Sequence, residues 1–387
     1  MEAVKLLELI QKGESSRVQF KERLPHQDSV AQEMVAFSNS QGGLLIIGVN
    51  DKTGELNGLT FQEIQATNQQ LANVASQSVN PPIFLTTETV SVNNNNLILV
   101  SIKEGISKPY KDRLGSIYIK NGSDKRRVIS NEEIARLLQN SKIMFADEMP
   151  IHGATASDID IDYYKIIFNK RFEPKGITYD TSGIDLTTSL QNQQLYKNGA
   201  LTLTGLLVFC ENRHSYRPQF SIQCFSTDNT DLLGDDFTDN EPAFEGNLEQ
   251  VYFQALNFIG RNMKKIPSGS SFNSELRWQI PKTVFEETLV NALVHRDYFI
   301  NTTIKVFMFS DRIEIISPGK LPNTQTEATI VNGVSIPRNP VLQSLAQYVL
   351  PYKGAGTGLM RAVYQYKDIS FFNDIKNERF IVSIKRP

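Results

Sequence analysis

The sequence predicts a multi-domain α+β protein, and three observations carry that expectation. The chain has 387 residues, more than one hydrophobic core ordinarily organises, so two or three domains are expected. Apolar periodicity switches repeatedly between helical spacing and strand alternation. Two polar stretches holding Pro or Gly, "ADEMPIHGATASDIDID" and "KKIPSGSSFNS", interrupt the pattern and read as boundaries. The expected segments are residues 1–140, 141–270 and 271–387, with the middle one an α/β segment.

The first segment alternates helix and strand. An amphipathic helix is expected at Ala3–Gln11, a strand in "RVQFKE", a helix over Ser29–Asn39, and a buried strand in the apolar run "GGLLIIGV". A helix near Phe61–Gln77 precedes strands at Phe84–Thr89, Leu97–Lys103 and Gly115–Lys120. The four asparagines Asn93–Asn96 suit a hairpin turn. A helix over Asn131–Gln139 closes the segment, with Ser130 as N-cap and Glu133 completing a capping box.

The middle segment centres on "LTLTGLLVFC" and the strand "RPQFSIQCFS". In the third, "IPKTVFEETLVNALVHRDY" starts a helix at Pro281, with apolar residues at Phe285, Leu289, Ala292 and Leu293. Glu287, Asn291 and His295 recur every fourth residue, so they form a polar stripe on one helix face, as a ligand-site wall would. A hairpin follows in "TTIKVFMFSDRIEIISPGKLP", turning at Ser310–Asp311. In "YKGAGTGLMRAVYQY", Gly354, Gly356 and Gly358 precede a helix whose first N–H groups can meet an anion. "DISFFND" and "RFIVSIKRP" form a second hairpin.

Composition excludes several function classes. At 40% hydrophobic and 21% charged residues with net charge −2, this is an ordinary globular chain without a global pull toward nucleic acid. No run of eighteen apolar residues exists, and the first residues lack a signal-peptide pattern, so a cytoplasmic protein without a membrane partner is expected. Cys210 and Cys224 lie in apolar, strand-like runs and read as buried free thiols rather than a disulfide or metal site. Charge is locally uneven. Lys103–Arg127 holds eight basic and three acidic residues, whereas Asp228–Glu249 holds eight acidic residues and no Lys or Arg. The first block can face phosphates.

The letters "HRD" at His295–Asp297 invite comparison with a protein-kinase catalytic loop. There, four residues separate the catalytic Asp from the metal-binding Asn. Here three separate Asp297 from Asn301, and no Asp-Phe-Gly follows. Kinase chemistry is excluded. The chain also lacks a G-x-x-x-x-G-K-[ST] phosphate loop, so helicase translocation is not expected.

"GESSRVQFKERL", "FSNSQGGLLIIGVND" and "YIKNGSDKRRV" occur in one order and together resemble the Schlafen-like AlbA domain, a nucleic-acid-binding module, over roughly residues 10–140. The resemblance implies phosphate contacts from Lys21, Lys120, Lys125, Arg126 and Arg127 to DNA or RNA. In nuclease members two Glu five residues apart and a later Asp hold a divalent cation. These positions carry Glu14, Gln19 and Asp51. An amide is a weaker ligand for Mg²⁺ than a carboxylate, which argues against cleavage.

The third segment, in its order of helix, hairpin, Gly-rich helix start and hairpin, resembles the α/β sandwich of the gyrase, heat-shock chaperone, histidine kinase and MutL ATPases (the GHKL fold). "NALVHRDY", "RIEIISPGKLP", "RNP" and "GTGL" are similar to the RecG-like C-terminal, transcriptional-regulator family, which commonly carries a Schlafen-like domain in front. By this resemblance Asn291 coordinates Mg²⁺, Glu287 orients the attacking water, and Gly319, Gly356, Thr357 and Gly358 contact ATP. Where ATP-binding relatives have Asp-x-Gly-x-Gly, this chain reads "SPGKLP", with Gly319 but no Asp. The expected function is a nucleic-acid-binding transcriptional regulator, forming a homo-oligomer such as a dimer, with an ATPase-like domain that binds Mg·ATP. A metal-dependent nuclease gated by ATP and a non-catalytic assembly protein are the alternatives.

Overall fold

A computed structural model describes residues 3–141, 144–232, 236–267, 276–322, 325–333, 336–354 and 356–387. The chain forms two compact units, Met1–Met144 and Phe145–Pro387. No helix among the described residues is long and apolar enough to cross a membrane.

The first unit is built on a four-stranded sheet in the order Val18–Lys21, Gly43–Ile47, Asn95–Ile102, Leu85–Val92. The first pair is parallel and the others antiparallel. The run "GLLII" alternates between two cores, because successive side chains of a strand point to opposite faces. Leu45 and Ile47 join Met34, Phe37 and Val100 on one side, while Ile46 joins Leu6, Phe20 and Leu99 on the other. A strand covered on both faces needs an unbroken apolar run, which is what the sequence displays. Asn93 and Asn94 turn the hairpin with φ of 48° and 62°, the left-handed pair that a type I′ turn requires.

Element ends depart from expectation where side chains find other partners. Ser130 does cap the helix Asn131–Asn140 by accepting from Glu133 N. The Glu133 carboxylate, however, pairs with Arg126, so the expected capping box is half formed. The helix expected to reach Gln77 ends at Asn73 and continues as a wider π-helical turn, Val74–Ser78.

In the second unit, six strands run in the order Asp239–Glu241, Ile222–Ser226, Ile304–Met308, Arg312–Pro318, Arg379–Lys385, Ile369–Asp374. Ile222–Ser226 and Ile304–Met308 are parallel neighbours, and their near faces share one core with Leu206, Val251, Leu289 and Leu345. The expected segments 141–270 and 271–387 thus contribute to one sheet and one core. Of the stretch expected to divide them, residues 268–275 lie outside the described residues.

The run "LLVFC" around Cys210 is not a strand. Leu203–Phe209 is a helix with every residue buried, capped by Thr202. A helix buried all round shows no amphipathic period, so its sequence looks like a buried strand. Gly205 lets it back onto Leu195, where a Cβ would come within 2.5 Å of the Leu195 carbonyl oxygen. Cys210 therefore closes a helix, while Cys224 lies on Ile222–Ser226. Both are free and buried, and burial pushes the Cys210 thiol up to about 12.

Candidate functional site

The helix Lys282–His295 positions the polar stripe. Val284, Phe285, Leu289, Val290 and Leu293 bury its core side, and Thr288 satisfies its hydroxyl on Val284 O at 2.7 Å. Pro281, expected at the first helical position, is instead the N-cap, and the helix begins one residue later at Lys282. Glu287, Asn291 and His295 then line a single pocket. Facing them is the helix Gly358–Gln365 with the loop before it, where Gly354 and Gly356 adopt φ of 68° and 69°. Ile315 and Ser317 of strand Arg312–Pro318, the turn Gly319–Lys320, and Val382 of strand Arg379–Lys385 close the remaining walls.

The structure thus brings together Glu287, Asn291, Gly319, Gly356, Thr357 and Gly358. Asn291 Nδ2 donates to Glu287 O at 2.6 Å, which leaves its Oδ1 as the atom suited to a cation. Glu287 pairs with Arg361, and Gly358 makes room for it, because a Cβ there would overlap the Glu287 carboxylate. Burial, aided by the charge of Arg338, pushes the His295 imidazole down to about 4, so it is neutral at pH 7. Gly319 takes φ 102°, and Arg338 Nη2 donates to the neighbouring Lys320 O at 2.7 Å.

Among the described lining residues, four are cations, Lys320, Arg338, Lys353 and Arg361, and one, Glu287, is an anion. The same wall carries Ile315, Leu321, Ile330, Ile336, Phe380 and Val382. A cationic, glycine-rich rim beside an apolar surface suits a ligand that is anionic at one part and ring-like at another. The sequence reading passed over all four cations. Lys320 and Lys353 stand inside the quoted strings "SPGKLP" and "YKGAGTG", and Arg361 lies three residues after Gly358, one turn into the helix.

The rest of "HRDY" is structural. Arg296 is buried, with its guanidinium 4.9 Å from the Phe220 ring centre and 4.8 Å from that of Tyr298, and it donates to Ile300 O and Thr302 O. Asp297 accepts from Phe299 N at 2.9 Å and holds the turn.

In the first unit the residues expected to face phosphates are engaged internally to different degrees. Lys120 lies on the hairpin Tyr118–Asn121 and Asp124–Arg127, but its ammonium is buried. It donates to Gln19 Oε1 and Glu33 Oε1 at 2.8 Å each and to Ser123 O at 2.5 Å. It cannot also contact a phosphate, which corrects that expectation. Lys125 donates to Ser29 O and Oγ, and burial first of all pushes its pKa down. Arg126 pairs with Glu133 and Lys21 with Asp51. Arg127 is exposed.

The donor set expected for a divalent cation does not fit one in this unit. Glu14 Oε1 accepts from Gln19 Nε2 and Phe20 N, Gln19 Oε1 accepts from Lys120, and Asp51 is paired with Lys21. An ammonium already answers the charge here. Among the described residues no three His, Cys, Asp or Glu side chains gather as a metal site.

Comparison with known proteins finds a family match within each unit. Residues 14–129 match the family "Schlafen, AlbA_2". Residues 301–381 match "Putative ATP-dependent DNA helicase recG C-terminal". Among solved structures, the DIP2311 protein from Corynebacterium diphtheriae is similar at 18% identity, covering 99% of this chain and 80% of that one, with a TM-score of 0.47. The N-terminal domain of a putative ATP-dependent DNA helicase RecG-related protein from Nitrosomonas europaea is similar at 23% identity, covering 34% of this chain and 96% of that one, with a TM-score of 0.26. No curated protein matches the chain. The chain carries a Schlafen AlbA_2 domain followed by a RecG C-terminal, ATPase-like domain.

Proposed function

We propose that the unit Phe145–Pro387 binds a nucleoside triphosphate, with ATP as the reference ligand, in the pocket between the helices Lys282–His295 and Gly358–Gln365. The Schlafen AlbA_2 unit binds nucleic acid, so the whole chain is a nucleotide-responsive regulator acting on DNA or RNA. The observation that carries the nucleotide reading is the pocket's charge, four cations to one carboxylate at a glycine-rich helix start. A polyphosphate answers that excess, while Ile315 and Val382 offer apolar surface to a base.

Asn291 fits a Mg²⁺ ligand, since its amide nitrogen is committed to Glu287 O and Mg²⁺ commonly takes one or two protein oxygens together with substrate phosphates. When bound, the ion would neutralise polyphosphate charge. Glu287, one helical turn away, is the candidate general base for an attacking water, a role contributing about 10²–10⁴-fold in rate. In the first unit the ion pairs around Lys120 favour binding over cutting.

Thermal melting tests the reading. A ligand at about a hundred times its Kd that binds only the native state adds roughly 2.7 kcal/mol, which for a domain of this size raises Tm by about 5–10 °C. Millimolar Mg·ATP should produce that rise in the wild type and not in Asn291→Ala. No rise in the wild type, or an equal rise in both, would contradict the proposed site.

A further inference from the structure

The Glu287 carboxylate occupies an unusual place. One oxygen pairs with Arg361, and the other lies so close to Gly358 that a Cβ there would overlap it. Gly358 is the first residue of the eight-residue helix Gly358–Gln365, and Thr357 at its N-cap makes no side-chain capping bond. A helix start carries a partial positive charge on N–H groups without intrahelical partners and attracts anions. Here the chain's own carboxylate sits at that start, held by an arginine one turn further on. The Glu287 side chain is 13% exposed and that of Arg361 36% exposed, and both residues line the pocket.

Resting on the nucleotide reading above, we infer that Arg361 is a phosphate-binding residue and that Glu287 is its built-in competitor in the ligand-free protein. A triphosphate brought to Gly356–Gly358 carries more charge than one carboxylate and offers several acceptor oxygens, so it takes Arg361 and the helix start from Glu287. Arginine suits the exchange because its planar guanidinium binds carboxylate and phosphate through the same two-pronged geometry. Glu287, released, stays on the pocket wall one turn from Asn291. The lining cations Lys320, Lys353 and Arg338 make the pocket attractive to an anion throughout, so Glu287 sets the threshold of binding rather than preventing it.

The reading predicts an effect opposite in sign to that of a residue that only helps to bind. Glu287→Gln keeps the shape and removes the charge, so ATP and inorganic tripolyphosphate should bind it about fivefold more tightly than the wild type, as expected when an ion pair worth roughly 1 kcal/mol no longer competes. Arg361→Gln should weaken both probes by about tenfold, and Arg361→Lys should recover part of the loss. The double variant is decisive, because two residues acting through one contact are not additive. Once Arg361 is gone, the gain from Glu287→Gln should largely disappear.

Isothermal titration of the full-length wild type, the three single variants and the double variant with each probe, with circular dichroism checking that each folds, performs the test. Glu287→Gln binding no tighter than the wild type, or keeping its whole gain in the Arg361→Gln background, would overturn the competitor role while leaving the nucleotide pocket intact. If no form of the protein binds either probe, the nucleotide reading falls and takes this inference with it.

Discussion

At Gly319 the backbone takes φ 102°, a region that side chains other than glycine rarely adopt. A Cβ there would also come within 2.5 Å of Asp297 Cβ and 2.6 Å of Arg338 Nη1. Neither neighbour can retreat easily. Asp297 N is held by Pro318 O at 2.8 Å, and Arg338 is tied to the Lys320 carbonyl. Gly319→Ala is therefore expected to cost roughly 1–3 kcal/mol, read as a lower urea midpoint with an unchanged slope. An unchanged midpoint would mean the turn relaxes freely. Residue roles were legible where spacing alone decides them, as with Glu287, Asn291 and His295 on one helix face. Roles that depend on a distant partner were not. Nothing local to Arg296 tells that Phe220 stacks on it, and nothing local to Lys120 tells that Gln19 and Glu33 enclose it. Arg361 likewise acquires its meaning only when two helices far apart in sequence pack together.

The helix Pro340–Val349 depends for its start on a residue from far upstream. Asn339, its N-cap, turns its amide away to Val294 O and Arg296 O, and Asp147 Oδ2 instead accepts from Val341 N and Leu342 N at 2.8 and 3.0 Å. Asp147 is fully buried, and burial, opposed by those backbone bonds, pushes its carboxyl from 3.8 up to about 7. The native state then holds this proton through a pH window in which the unfolded chain has released it. Stability from this group is complete below about pH 4 and is lost as pH rises toward 7. Asp147→Asn keeps an acceptor for the two N–H groups and removes the titration. The difference in unfolding free energy between wild type and variant should therefore drift by up to about 4 kcal/mol across that window, measured by urea denaturation at successive pH values. A constant difference would show that Asp147 is ionised throughout. Elements were legible where the period was clear, as in Ala3–Gln11 and the two C-terminal hairpins. Leu203–Phe209 was not, because a fully buried helix gives no periodic signal.

On the scale of the whole chain, the sequence marks three segments, 1–140, 141–270 and 271–387, but it does not signal that Ile222–Ser226 lies parallel to Ile304–Met308. Such a pairing is made through a long crossover and leaves no local mark. Its consequence is testable. A fragment starting at residue 271 would expose one edge of Ile304–Met308 and open the core at Leu206 and Val251. It is expected to be molten or insoluble, whereas residues 145–387 and residues 1–141 should each give dispersed amide spectra. A well-folded 271–387 fragment would contradict the shared core. The central claim, a nucleotide held between the stripe helix and the glycine-rich loop, is tested most directly by photolabelling the full chain with 8-azido-ATP and mapping the modified peptides. The label should fall on peptides that carry pocket-lining residues, among them Asn291, His295, Ile315, Leu321, Ile330, Arg338, Lys353 and Val382, and fade as unlabelled Mg·ATP is added. Label elsewhere in the chain, or label that unlabelled ATP does not suppress, would contradict it.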